Sequence, residues 1–161
     1  MTQSPVPLGT TQSFMPPSAT QFSVFLANKV GRLLDLVERL DTETCRICAL
    51  SVHEASDHAV VRIVPNNAKA ARDRLKTQGL PFSEREVLLV EIGPNQNLAK
   101  VCLALLSAEL SIHFAYPLLT AMDRGPVIAL AVDDMTLAGQ LLRKIEFRLL
   151  GENDLPQYRG S

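Results

Sequence analysis

Cys45 and Cys48, in the segment CRIC, have the spacing of a redox-active or metal-binding cysteine pair. The flanking residues nevertheless alternate as in a β-strand, and strand positions three apart point to opposite faces of the sheet. A redox pair works at a helix N-terminus, where the thiol pKa falls, and a metal site needs further ligands, although the chain has only three histidines. We interpret both cysteines as ordinary strand residues, with redox chemistry and metal binding as the alternatives.

Two other groups of residues have types suited to catalysis. Ser51 and His53 lie on one face of the same predicted strand, but no acid that would orient the histidine is evident. Asp133 and Asp134 stand at the start of a predicted helix, where acids stabilise the helix dipole, with metal binding as the alternative. No phosphate-binding loop, dinucleotide fingerprint or nucleophile elbow occurs. The sequence predicts no enzyme, no cofactor and no metal; a small hydrolase or isomerase using Ser51 and His53 is the alternative.

The segment FLANKVGRLLDL, residues 25–36, joins an apolar strand to an amphipathic helix through a short polar loop. Gly31 stands where the helix begins, although glycine is a poor helix former. Without a Cβ it lets a ligand approach the unpaired N–H groups of the first turn, which suit a carboxylate. Asn28 can both donate and accept hydrogen bonds, as the groups of a zwitterion require. A ligand site is therefore one interpretation of Gly31, and a tight turn is the other.

Composition narrows the classes of partner. The chain has 161 residues, of which 47% are hydrophobic and 20% charged, with a net charge of −1. Neither half is basic and no tryptophan is present, which argues against nucleic acid as a partner. The apolar run Val101–Leu106 is far shorter than the ~20 residues that span a bilayer. Residues 1–20 lack the basic start and apolar core of a secretory signal, so we expect a cytoplasmic protein.

The predicted elements follow the order β-α-β-β-α-β twice. The first copy has strands at 21–27, 45–52, 58–64 and 82–92 and helices at 29–40 and 66–78. In the second copy, helices at 97–109 and 133–145 alternate with strands at 110–116 and 125–132 and an end segment at 147–155. The run 82–92 ends one copy and begins the next. Residues 1–20, rich in Pro, Ser and Thr, predict a flexible tail.

Apolar positions at helical spacing predict which helix faces are buried, and they support an internal repeat. The predicted buried stripes are Val30, Leu33, Leu34, Val37 and Leu40 in the first helix, and Leu98, Val101, Cys102 and Leu105 in its repeat. One constant offset superimposes these two helices, and a slightly larger one pairs Val60 with Val127, Asn67 with Asp134, Ala71 with Ala138 and Leu75 with Leu142. The predicted fold is α+β, with two tandem ferredoxin-like βαββαβ units, each a four-stranded antiparallel sheet with its helices on one face.

The sequence resembles the ACT domain family, small regulatory modules that bind amino acids. The segment LANKVGRLLDLVERL (26–40) is similar to the family's strand-loop-helix signature, with Asn28, Gly31 and Leu33 in the matching places. The segment LSIHFAY (110–116) resembles a strand of the tandem ACT proteins of bacteria. In GPNQNLAKV (93–101), Pro94 is kept but Gln96 stands where the family has glycine. The resemblance covers residues 22–155 and implies domains at 21–86 and 87–155 with tails at 1–20 and 156–161.

The resemblance also implies a function and a site. We expect an amino-acid-sensing regulator that modulates a partner enzyme of amino-acid metabolism, with branched-chain amino acids as one ligand class. A ligand-free dimerisation or docking subunit is the alternative. We expect a homodimer, which would cover the bare sheet faces or extend the sheets. The expected ligand-binding residues are Asn28, Lys29, Val30, Gly31, Arg32 and Leu33 in the first copy and Pro94, Asn95, Gln96, Asn97 and Leu98 in the second.

Overall fold

Seven strands and four helices form the part of the chain that the computed structural model describes, residues 15–27, 29–120 and 122–157. The strands are β1 (Ala19–Ala27), β2 (Ile47–Glu54), β3 (His58–Pro65), β4 (Phe82–Glu91), β5 (Ile112–Pro117), β6 (Val127–Val132) and β7 (Arg148–Leu150). The helices are α1 (Arg32–Leu40), α2 (Ala68–Thr77), α3 (Leu98–Ser107) and α4 (Met135–Lys144), with a short 3-10 helix at Glu152–Asp154. The predicted α+β class with two ferredoxin-like units is confirmed.

One long strand, β4, belongs to both sheets. Its residues 82–87 pair with β1, its residues 88–91 pair with β6, and its residues 89–91 also pair, on the other edge, with β7. The strand orders are therefore β2-β3-β1-β4 in the first unit and β5-β6-β4-β7 in the second, all antiparallel. The predicted run 82–92 joins the copies in this way. Because one strand serves both units, the domain bounds 21–86 and 87–155 and the tail bounds stay predictions.

The two sheets curl so that their faces opposite the helices meet. A bridge between Ala49 and Leu118 and a hydrogen bond from the Leu119 N–H to the Cys48 carbonyl, 2.8 Å, join the free edges of β2 and β5. The described residues consequently form three apolar cores: one under the helices of each unit and one between the sheets. The core between the sheets contains small residues from β6, Ala129 and Ala131, that allow close approach. Much of the face expected to be bare is thus covered within one chain.

The second helices of the two units, α2 and α4, begin and end in the same way at equivalent positions. The side chain of Asn67 accepts a hydrogen bond from the Ala70 N–H at the start of α2, and Asp134 accepts one from the Leu137 N–H at the start of α4. These are N-caps, which satisfy N–H groups that no helical carbonyl reaches. Beyond the other end of each helix, Gly79 and Glu146 both have positive φ, +66° and +68°. The pairing of Asn67 with Asp134 that the sequence predicted therefore holds at the level of single hydrogen bonds.

The first helix of each unit departs from the predicted stripes. In α1 the buried residues are Leu36 and Leu40, while Leu33 and Leu34 are exposed. The helix begins at Arg32 instead of residue 29, so Val30 lies in the preceding loop and is fully exposed.

In α3 the buried residues are Val101 and Leu105, whereas Leu98 and Cys102 are exposed. The outer face of α3 also carries apolar side chains, Leu103 and Leu106. Periodicity alone cannot distinguish the inner face of a helix from an outer face that is equally apolar.

A buried hydrogen bond links the two units inside the core between the sheets. The Tyr116 hydroxyl of β5 donates to the Gln21 Oε1 atom of β1 at 2.5 Å, and both residues are buried. Burial raises the pKa of Tyr116 well above its usual range, so the hydroxyl keeps its proton and remains a donor.

Replacing Tyr116 by phenylalanine (Tyr116→Phe) leaves the Gln21 amide oxygen buried without a donor. We expect a loss of about 1–3 kcal/mol in the free energy of unfolding, measured by urea denaturation. Adding Gln21→Met should restore much of this loss, because both polar partners are then absent. An unchanged stability in Tyr116→Phe would contradict the importance of this bond.

Candidate functional site

Gly31 begins α1 in a conformation that favours glycine. Its φ is +86° and its ψ is −10°, the left-handed region, and it is the N-cap residue of the helix. A Cβ at this position would have no atom within 4 Å, so the space above Gly31 is open. The conformation supports the turn interpretation, and the open space is compatible with an approaching ligand. Gly31 also has no side chain that could cap the N–H groups of the first turn.

The matching loop of the second unit uses its polar side chains internally. Asn97 caps α3 by accepting a hydrogen bond from the Lys100 N–H at 3.0 Å. Gln96 accepts a bond from the Gly93 N–H at 2.8 Å and donates one to the Glu146 carbonyl at 3.0 Å. The amide of Gln96 thus occupies this loop itself, which Gly31 cannot do in the first unit.

The second loop is also shorter by a single position. Leu26 and Ile92 both face the helices of their own unit. Leu36 and Val101 are the first buried residues of α1 and α3. The path from Ile92 to Val101 has one position fewer than the path from Leu26 to Leu36. The sequence difference at position 96 therefore accompanies a change in loop length, and the two loops are not equivalent.

A buried acid, Glu91, lies at the end of β4, close to this second loop. Its carboxylate is fully buried at the end of β4, and no described residue donates a hydrogen bond to it. Arg148 Nη1 lies 3.6 Å and Arg124 Nε 3.9 Å from its Oε1 atom. Arg124 also lies against Gly93. Sequence reasoning missed this buried acid, because a glutamate at a strand end gives no sign of its burial.

An open cleft of about 220 Å³ lies between the first turn of α1 and the β2–β3 hairpin. Its apolar lining consists of Leu26, Ala27, Leu33, Val52, Ala59 and Val61. Its charged lining consists of Lys29 and Arg32 beside the loop and Glu54 on the hairpin. Strand register assembles the cleft, because Leu26 pairs with Ala59 on β3, and Ala59 pairs with Glu54 on β2.

A neighbouring cleft of about 250 Å³ lies on the other side of α1, towards the link between α2 and β4. Asp35, Arg39 and Gln78 contribute to its lining, which is more polar, and Arg32 lines both clefts. The arginine thus stands between two surface depressions at the start of α1.

The predicted site residues are divided between these places. Lys29, Arg32 and Leu33 line the cleft, while Val30 and Gly31 are exposed beside it. Asn28 lies outside the described residues. Pro94–Leu98 form the second loop, in which Asn95 has a φ of +62°. Ligand binding by any of these residues stays a prediction. The hairpin residues Val52, Glu54 and Ala59 were missed, because their position beside the loop depends on strand register.

The other side chains whose types suit catalysis or metal binding make structural contacts instead. Asp133 lies 2.7 Å from His113 Nε2 and accepts a bond from the Ser111 N–H. Ser51 and His53 share one face of β2, and no described carboxylate is hydrogen-bonded to either. Within residues 15–27, 29–120 and 122–157 no group of three His, Cys, Asp or Glu side chains could hold a metal ion. None of the helices among these residues has the length and apolar character to cross a bilayer.

The three cysteines differ sharply in environment. Cys45 and Cys48 are buried, and Cys102 is exposed on α3. Burial raises the pKa of both Cys45 and Cys48 to about 11, despite the opposing effect of nearby arginines. The thiols of this buried pair are protonated at neutral pH, which is the behaviour of structural cysteines.

Comparison with known proteins agrees with this architecture. A family model described as an ACT domain pair matches residues 18–157. The structure of protein BT0572 from Bacteroides thetaiotaomicron is similar, with a TM-score of 0.74 and 26% identity over 86% of this chain and 96% of that one. No curated protein sequence matches the chain.

Two structures with lower identity share the fold. The ligand-free regulatory subunit of aspartate kinase from Thermus thermophilus has a TM-score of 0.56 and 13% identity, over 83% of this chain and 93% of that one. The aspartokinase alpha and beta subunits give a TM-score of 0.50 and 15% identity, over 80% and 95%. At these identities the likeness concerns the fold alone.

The cysteine environments predict selective alkylation. Native protein treated with iodoacetamide at pH 8 should take up one equivalent, at the exposed Cys102, because Cys45 and Cys48 are buried and burial raises the pKa of both. Mass spectrometry of intact protein checks the count, and denatured protein, with three labels, is the control. Rapid labelling of Cys45 or Cys48 would revive the redox interpretation.

The conformation of Gly31 predicts the effect of its substitution on stability. Gly31→Ala should lower the free energy of unfolding by roughly 1–2 kcal/mol, the cost of a left-handed conformation for an L-residue. Gly31→Asn should lower it less, because asparagine tolerates this region. Chemical denaturation of the three proteins tests both statements. Equal stability of Gly31→Ala and the wild type would show that the loop does not need glycine.

Proposed function

Because the chain belongs to the ACT domain pair family, we propose that it is a regulator that binds a small free amino acid at the β1–α1 loop and modulates an enzyme of amino-acid metabolism. The observation that carries this proposal is the cleft of about 220 Å³ beside the uncapped start of α1. Pockets for drug-sized ligands measure about 300–1,000 Å³, so this one suits a smaller molecule.

The start of α1 offers what an α-carboxylate needs. The first N–H groups of a helix have no carbonyl partner within it and carry a partial positive charge. Gly31 adds no side chain that would compete for them, and the cationic side chains of Lys29 and Arg32 line the cleft beside them. In the second loop, by contrast, the side chains of Gln96 and Asn97 already occupy the backbone N–H groups of Gly93 and Lys100. The first unit is therefore the proposed sensor.

Regulation follows from the small number of buried side chains that attach α1 to its core. Only Leu36 and Leu40 of this helix are buried, so α1 contributes less apolar surface to its core than a helix with a full apolar stripe. A ligand that contacts both α1 and the β2–β3 hairpin would fix the helix in one position. A partner enzyme that binds α1 would then sense the amino acid, because a ligand shifts an equilibrium by its differential affinity for the two states.

A ligand-free docking or dimerisation subunit is the second candidate, and the outer face of α3 favours it. Leu103 and Leu106 are 66% and 70% exposed on this helix. Large apolar side chains exposed together on one surface are typical of contacts between proteins. Binding at this face and sensing at the first loop are compatible, so the two candidates differ in whether an amino acid affects the protein.

Amino-acid sensing predicts ligand-dependent thermal stability. Among the twenty amino acids tested one at a time with the full chain, at least one should raise the melting temperature. At 100 times Kd the gain is about 2.7 kcal/mol, or several degrees for a chain of this size. Arg32→Ala should reduce the shift, and Lys76→Ala, an exposed change in the last turn of α2, should not.

A pull-down of the tagged chain, with and without the stabilising amino acid, tests the regulatory part. An enzyme partner whose retention depends on the amino acid supports the proposal. A stoichiometric partner that ignores all twenty, together with unchanged melting temperatures, would establish the docking subunit instead.

A further inference from the structure

We propose that the cleft selects amino acids with aliphatic side chains and that the β2–β3 hairpin determines this selectivity. The inference rests on the proposed function, since it specifies the ligand of the same cleft. The side chain of the ligand would lie against Val52 and Ala59, its ammonium group would face Glu54, and its carboxylate would face Arg32.

The apolar wall of the cleft favours an aliphatic ligand side chain. Leu26, Val52, Ala59 and Val61 come from three neighbouring strands, and all four line the cleft. They are aliphatic, and none of the described residues that line the cleft is aromatic, serine or threonine. An apolar wall favours an apolar ligand group in proportion to the area removed from water. A hydroxyl, amide or charged side chain would lose its hydration against this wall.

The charged groups of the cleft favour a ligand with one positive and one negative group. Lys29 and Arg32 lie on the α1 side of the cleft, and Glu54 lies on the hairpin side. Cationic and anionic groups on opposite sides match the two charges of a zwitterion. A carboxylate has several lone pairs, so Glu54 can accept from an ammonium group in addition to its other contacts. Both lining cations lie on the α1 side, so an acidic ligand side chain would meet Glu54 and the apolar wall on the hairpin side.

The size of the cleft suits a small ligand. At about 220 Å³, it has the volume of roughly seven water molecules at about 30 Å³ each. This volume accommodates a free amino acid with a side chain of three or four carbons.

The experiment is calorimetric titration of the full chain with leucine, isoleucine, valine, alanine, phenylalanine, serine, aspartate and lysine. The branched aliphatic amino acids should bind most tightly. Each buried methylene contributes about a fourfold decrease in Kd, and leucine has three more carbons than alanine, so leucine should bind about 10-fold (partial burial) to 60-fold (full burial) more tightly than alanine.

Variants of the hairpin test the assignment of the wall. Val52→Thr keeps the shape but adds a hydroxyl, and it should weaken leucine binding about tenfold or more. Val60→Thr, on the opposite face of the sheet, is the matched control and should leave Kd unchanged. Ala59→Leu fills part of the cleft, so it should reverse the preference from leucine to alanine. Glu54→Gln should weaken all aliphatic ligands by a similar factor and preserve their order.

The outcomes separate the inference from the proposed function. Tightest binding of aspartate, lysine, serine or phenylalanine would overturn the aliphatic selectivity and leave amino-acid sensing intact. Leucine binding that is unchanged by Val52→Thr would place the ligand elsewhere and overturn the role of the hairpin. The melting temperature of each variant without ligand confirms that it folds, and Val52→Thr remains informative if Ala59→Leu does not fold. Binding of no amino acid would overturn both proposals.

Discussion

The continuity of β4 is the constraint on which the remaining structure depends. Ten residues, Phe82–Glu91, provide the last strand of one sheet and the first strand of the next. A strand cannot turn between these two roles without losing hydrogen bonds along its edges, and an unpaired buried N–H or carbonyl group is costly. The two units are therefore joined by backbone hydrogen bonds, and the natural twist of the sheet brings their uncovered faces together. The core between the sheets and the bond from Tyr116 to Gln21 follow from this geometry.

This arrangement gives the two strand-helix loops different surroundings. In the second unit, Gln96 fills its own loop, and Arg124, beside the buried Glu91, lies against the loop backbone. In the first unit, Gly31 leaves the start of α1 uncapped, and the adjacent cleft is open. Two copies of one fold thus differ at the loop where we propose that a ligand binds, while the second helices of both units keep equivalent caps.

The sequence predicted local features such as helix caps well, and it predicted the buried faces of the helices less well. Asn67 and Asp134 were identified as matching positions, and each caps a helix through the same hydrogen bond. Helix caps depend on residues within one turn, so the sequence suffices. The inward face of α3 was partly wrong, since Cys102 is exposed. Its outer face is also apolar, and only the packing of the neighbouring sheet decides which side is buried.

The element order, the internal repeat and the special position of Gly31 were determined by the sequence alone, because each depends on spacing along the chain. The tertiary structure decided which residues from distant segments of the chain lie next to each other. Antiparallel register brings Glu54 and Ala59 next to Leu26, and a one-residue change of register would turn each side chain to the other face. Glu91 is buried only because β6, β7 and the segment that carries Arg124 surround it. The cleft and the buried acid are properties of contacts between distant segments, which spacing in the sequence does not encode.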